Sequence, residues 1–151
     1  MPGSWSPGEF PGLTAENSQI TSPATRRYNC VAWAAGEDFR WWWPDPMGVG
    51  YWPATAPRQV SLQAFIAAFA TLGYERCDEP EVETGMEKIA IFGRDDFEGS
   101  IVPTHAARQL ASGLWTSKLG SLEDIRHETV VDVGGPLYGD AVVYMSRIRF
   151  A

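Results

Sequence analysis

Long apolar runs, basic side chains, cysteine and histidine are all scarce in this chain of 151 residues. No window approaches the roughly 20 consecutive apolar residues that a membrane-spanning helix requires. The opening MPGSWSPGEFPGLTA has neither the basic start nor the apolar stretch of a secretory signal, so the expected location is the cytoplasm, with a specialised export route left open. Twelve Lys and Arg side chains face 19 Asp and Glu, a formal charge of −7, and Arg26-Arg27 is the sole adjacent basic pair. A phosphate backbone would be repelled by this balance. Neither nucleic acid nor membrane is expected as a partner.

Cys30 and Cys77 are too few for a disulfide framework and lack zinc spacing, and His105 and His127 stand far apart in sequence. Phosphate-cradling glycine loops, HExxH and EF-hand patterns are missing, so no metal and no cofactor is expected. Asp78, Glu79, Glu81 and Glu83 read as a solvated acidic loop. A chain of this length buries roughly 70% of its unfolded surface and needs no staple. One domain over residues 21–151 is expected, preceded by a Pro/Gly-rich arm over 1–20.

What is present starts with punctuation and periodicity. Ser22-Pro23 and the run Val31 to Ala35 before Gly36 predict a short helix over about residues 28–36, with Cys30 in its first turn. Residues 39–57 hold four prolines and six aromatic side chains and read as a structured aromatic loop. Ser61 caps a second helix whose Leu62, Phe65, Ile66, Phe69 and Leu72 follow helical spacing up to Gly73. The second half changes period: 74–77, 88–92, 104–110 and 114–118 read as strands of an antiparallel sheet, with a hairpin turn at Ala111-Ser112-Gly113. Ser121 with Asp124 suggests a short helix to about His127, and 138–147 is either strand or helix.

The chemistry follows from these placements. A thiol in a first helical turn, with Arg26 and Arg27 upstream, is a candidate for a lowered pKa and for nucleophilic attack, whereas Cys77 reads as a small apolar residue. His105, at the head of a strand, is the better candidate base. His127, between Arg126 and Glu128, reads as a solvated or capping residue. Ser117, on the strand running back past His105, is the candidate to orient the ring, with Asn29, Asp124, His127 or a main-chain carbonyl as alternatives. Tyr28, Asn29, Trp41, Trp42, Trp43 and Trp52 are the candidate substrate contacts.

Tyr28-Asn29-Cys30-Val31-Ala32-Trp33-Ala34, Trp41-Trp42-Trp43-Pro44, Thr104-His105-Ala106-Ala107-Arg108 and Trp115 to Gly120 resemble a family of small, mostly bacterial proteins of unknown function. More distantly, the order of parts is similar to papain-like hydrolases of the NlpC/P60 and CHAP type, although Asn29 and Ser117 depart from the residues those families commonly place there. That resemblance implies an α+β, papain-like fold with an N-terminal catalytic helix packed on an antiparallel sheet. It also implies Cys30 as nucleophile, His105 as base and Ser117 as the third residue. The expected function is a cysteine peptidase or amidase acting on a peptide, protein or peptidoglycan-derived substrate. The alternative is an inactive interaction module that binds through its Trp-rich loop.

Overall fold

Ile89, Ala90, Ile91 and Phe92 are all fully buried, although successive strand residues point to opposite faces, so the sheet that holds them is covered on both sides. The computed structural model describes residues 3–149. Seven strands form one sheet: β1 (Ser18–Ser22), β2 (Glu75–Cys77), β3 (Met86–Asp95), β4 (Ile101–Gln109), β5 (Trp115–Lys118), β6 (Asp124–His127) and β7 (Asp140–Ile148). Their order is β1-β6-β5-β4-β3-β7-β2, with every neighbouring pair antiparallel. Two helices precede β2, α1 (Cys30–Ala35) and α2 (Leu62–Ala70), and a 3-10 turn, Val130–Val133, lies between β6 and β7.

The papain-like α+β architecture expected from the sequence is overturned. The chain is mostly an antiparallel sheet, and its helices, of 6 and 9 residues, are short accessories to it rather than the catalytic helix of a papain-like domain. Three segments account for the difference. Residues 18–22, within the extended N-terminal region, form edge strand β1 against β6. Residues 124–127, expected as helix, form β6: Ile125 is buried and Arg126 exposed, so the two point to opposite sides. The undecided segment near 138–147 is strand β7, which runs between β3 and β2.

Each helix is short for a local reason. Asn29 caps α1 by accepting from the Ala32 N–H, and Gly36, at φ 92°, ends it in the left-handed conformation. Ser61 caps α2 by accepting from the Ala64 N–H, and Ala64, Phe65, Ala68 and Phe69 form its buried stripe. Both helices and the aromatic loop join Ile89, Ile91, Ala106, Val143 and Met145 on one face of the sheet. Ala90, Phe92, Ala107, Trp115, Leu119 and Ile125 form the other core, closed by Val130, Val133 and the Phe10 and Leu13 side chains of the N-terminal arm. Among the described residues no helix is long and apolar enough to cross a membrane.

The register of β3 against β4 shifts between Phe92 and Gly93, so that Phe92 faces His105 and Gly93 faces Pro103. A proline has no ladder donor to give, and a bulge is where a strand can accommodate one. Thr104, at the irregularity, donates from Oγ1 to the Tyr138 carbonyl at 2.6 Å. Gly139, at φ 70°, lets the next residue of that loop lie directly on β3: a Cβ there would run into the Gly93 carbonyl. Gly139→Ala should therefore cost about 1–3 kcal/mol of stability in urea unfolding. A loss within about 0.5 kcal/mol would mean that the approach is not required.

Candidate active site

Cys30 keeps 5% of its surface and His105 none. The thiol lies against β4: the backbone N–H groups of Ala106, Val31 and Cys30 itself partly offset a burial that pushes its pKa up to about 11. Lowering by Arg26 and Arg27, expected from the sequence, is thus replaced by the opposite shift, because desolvation of the thiolate dominates. Ala106 directly follows His105, which places the sulfur beside the main chain that carries the imidazole. Tyr138 links the two again: its ring stacks on His105 with centroids 4.0 Å apart and planes at 9°, and Cys30 is among the charges that hold its hydroxyl well above the ordinary phenol range, after burial. Alternation along β4 turns the His105 ring toward Phe92 and Tyr138, while Ala106 faces the core that includes Cys30. No hydrogen bond joins thiol and imidazole in this arrangement, since His105 Nδ1 has no partner.

The other nitrogen of His105 is firmly engaged. Nε2 lies 3.1 Å from Ser117 Oγ, Ser117 Oγ lies 2.8 Å from His127 Nε2, and His127 Nδ1 lies 2.8 Å from the Thr129 carbonyl. A carbonyl only accepts, so His127 carries its proton on Nδ1. Burial lowers the pKa of both rings, which keeps them neutral; His127 therefore accepts at Nε2 from the Ser117 hydroxyl. The Ser117 oxygen in turn accepts from His105 Nε2–H. One carbonyl at the end of β6 thus sets both tautomers and leaves His105 Nδ1 as a bare, buried lone pair with no partner.

The sequence-predicted site residues separate accordingly. His105 and Ser117 are brought together by hydrogen bonding, with the His105 ring against Phe92 and Tyr138. Cys30 is instead buried in the core on the α1 side and meets β4 at the Ala106 main chain, with no side-chain contact to either. His127, read as solvated, is buried instead and ends a strand. Its signal was present in the alternation Asp124-Ile125-Arg126-His127, which the capping pattern at Ser121 obscured. Asn29 is structural: its Oδ1 accepts from the Ala32 and Trp42 N–H groups and its Nδ2 donates to the Trp42 carbonyl. Tyr28 is buried and donates to Asp124 Oδ2 at 2.5 Å. Lys118, opposite Asp124 in the β5–β6 ladder, donates to the Thr25 and Leu122 carbonyls with its Nζ 5.2 Å from the Tyr28 ring centre. These contacts tie the segment before Cys30 to the sheet, and the sequence offered no sign of a buried lysine there.

The tryptophans are mostly core. Trp42 and Trp52 are buried, with their Nε1 groups bonded to Glu37 and to the Pro57 carbonyl, and Trp43 packs edge-on against Phe65. Trp41 alone of the four is exposed, at 38%. Cys77, on β2, is partly exposed and reaches only the Glu79 carbonyl, at 3.7 Å.

A seven-stranded antiparallel sheet with a buried thiol and a directional His-Ser-His chain defines a small sheet domain with an internal polar relay. The chain matches the family model described as a domain of unknown function (DUF7689) over residues 19–146, and it belongs to that family. No curated protein and no solved structure matches it.

The buried histidines make stability depend on pH. Their folded pKa values lie below the ordinary 6.5, so their contribution is complete above that pH and falls as pH drops toward the folded values. Glu37, Glu87 and Glu123, whose pKa values are also lowered, lose their contribution only below about their ordinary 4.5. Urea unfolding should therefore show stability already declining between pH 6.5 and 4.5. A flat profile across that window would contradict the burial of two neutral imidazoles.

Proposed function

We propose that the chain is a cysteine hydrolase, a peptidase or amidase in which Cys30 attacks an amide carbonyl and His105 serves as its base. The observation that carries this reading is the partnerless Nδ1 of His105, a lone pair left unprotonated by the Ser117-His127-Thr129 chain and buried beside the strand segment that the thiol touches. A buried acceptor without a partner costs about 1–3 kcal/mol, an expense that a proton-abstracting role would explain. The Cys30 Sγ–H proton passes to Nδ1 as sulfur bonds to the carbonyl carbon. His105 then gives that proton to the leaving amine, and a thioester remains. Water attacks the thioester with His105 again as base, releasing the acid and restoring the thiol. The N–H groups of Cys30, Val31 and Ala106, gathered round the sulfur, supply the positive field for the oxyanion. The substrate class is an amide in a cell-wall peptide, in a protein, or in an amide side chain.

A second reading, a non-catalytic interaction module, draws on the apolar side chains that the aromatic loop exposes: Phe39, Trp41, Met47 and Val49 at 57%, 38%, 84% and 88%. One experiment separates the two. Iodoacetamide modification of Cys30 is followed by mass spectrometry from pH 6 to 10 in a Cys77→Ser background, with and without His105→Ala. The hydrolase reading expects modification at neutral pH that falls about 10²-fold without the imidazole. Modification that rises only in parallel with ionisation of a thiol near pKa 11, and is indifferent to His105→Ala, would leave the interaction module.

A further inference from the structure

We propose that when Cys30 gives up its proton the positive charge comes to rest on His127, through Ser117, rather than on His105. The inference rests on the Cys30–His105 reading and extends it to a relay. The Sγ–H bond breaks as Nδ1–H forms on His105; the Nε2 proton of His105 moves to Ser117 Oγ, and the Ser117 hydroxyl proton moves to His127 Nε2. One proton has left the thiol and one has arrived at His127. His105 stays neutral with its tautomer inverted. As it gives its Nδ1 proton to the leaving amine, the His127 Nε2 proton returns to Ser117 Oγ and the Ser117 proton to His105 Nε2, which restores the resting chain.

The geometry favours this end point. Every donor in the chain already points from His105 toward His127, across 3.1 Å and 2.8 Å, so no group must rotate before the protons move. The surroundings of the two rings differ in kind. His105 is sealed between the Phe92 and Tyr138 rings, with no counter-charge on either. His127 donates to the Thr129 carbonyl and feels Asp132 from the 3-10 turn, whose carboxylate is held in place by the Thr129 N–H and hydroxyl. It also lines a cleft of about 400 Å³ whose other charged residues are Glu16, Arg126 and Glu128, and it meets His105 through Ser117; the carboxylate that acts on its ring is that of Asp132. An imidazolium is stabilised by carboxylates and water and penalised by aromatic walls. Burial depresses both rings, but at His127 the Thr129 carbonyl and Asp132 pull the other way, whereas at His105 the only further influence is repulsion from His127. His127 is thus a positioning and relay residue, acting through Ser117 and His105 rather than on the substrate.

The test separates relay from orientation. In His127→Gln the side-chain carbonyl can still accept from Ser117 and hold the His105 tautomer, but it cannot take the proton. The probe is iodoacetamide on Cys30 at pH 7 in the full chain with Cys77→Ser. A relay predicts that His127→Gln and Ser117→Ala each slow modification by about tenfold or more. Rates within about twofold, while His105→Ala abolishes modification, would overturn the relay and leave the simpler base. Indifference to all three substitutions would remove the Cys30–His105 reading itself. A measurement on the unsubstituted chain guards against variants that fail to fold: ¹⁵N NMR of histidine-labelled protein during acid titration. The relay expects the first imidazolium at His127, with His105 passing from the Nε2–H to the Nδ1–H form in the same step. An imidazolium appearing first at His105 would contradict it.

Discussion

A single hydrogen bond, from His127 Nδ1 to the Thr129 carbonyl at 2.8 Å, sets the polarity of the whole buried site. Because the carbonyl can only accept, the direction of every later bond in the chain follows: Ser117 must donate to His127 and accept from His105. The consequence appears two side chains away, at a nitrogen that touches none of these groups. Had the terminal acceptor been a donor instead, both rings would carry the other tautomer, and His105 would offer a proton where it now offers a lone pair. The cost of burying so many polar groups is met because each neighbour completes the next, and only Nδ1 of His105 is left over among the ring nitrogens.

The sheet makes that chain possible. β4, β5 and β6 are consecutive neighbours, so His105, Ser117 and His127 occupy three adjacent strands and their side chains meet across them. The described ladder between β4 and β5 holds only the Arg108–Thr116 and Gln109–Trp115 pairs, and the Ser117–His105 contact takes over beyond it. On the far side Tyr138 closes the site, held by Thr104 and by a loop that can lie on β3 because glycine occupies position 139. Phe10 of the N-terminal arm packs on Tyr138 at 5.3 Å, so the arm is part of the cover over the imidazole.

The two helices and the β3–β4–β5 meander were legible because each depends on local signals: helical spacing at Phe65 and Phe69 behind the Ser61 cap, Gly36 and Gly113 at positive φ, and the apolar run Ile89 to Phe92 in β3. The cap of α1 was not, since Asn29 rather than the expected Ser22 fills it. The overall architecture was not, and the reason is specific. Residues 124–127 carry only four positions of strand pattern, and a capping signal at Ser121 outweighed them; once β6 is a strand, β1 gains a partner and the sheet reaches seven. Cys30, His105 and Ser117 could be picked out as chemically capable residues, and the Ser117–His105 contact follows from hairpin geometry. Two properties were out of reach. The second histidine depended on the misassigned strand, and the upward shift of the thiol depends on burial by residues from several elements, which no local pattern encodes. The tryptophans misled in the other direction: their abundance suggested a binding wall, yet Trp42 and Trp52 mainly fill the core beside α2.

The central claim is the unprotonated Nδ1 of His105 in the resting protein. Long-range ¹H–¹⁵N correlation spectra of histidine-labelled chain at pH 7.5, assigned with His127→Gln, read the two tautomers directly. The account predicts neutral rings at both positions, with His127 protonated at Nδ1 and His105 at Nε2. A His105 ring protonated at Nδ1 would contradict it, because the lone pair assigned to the thiol proton would already be occupied.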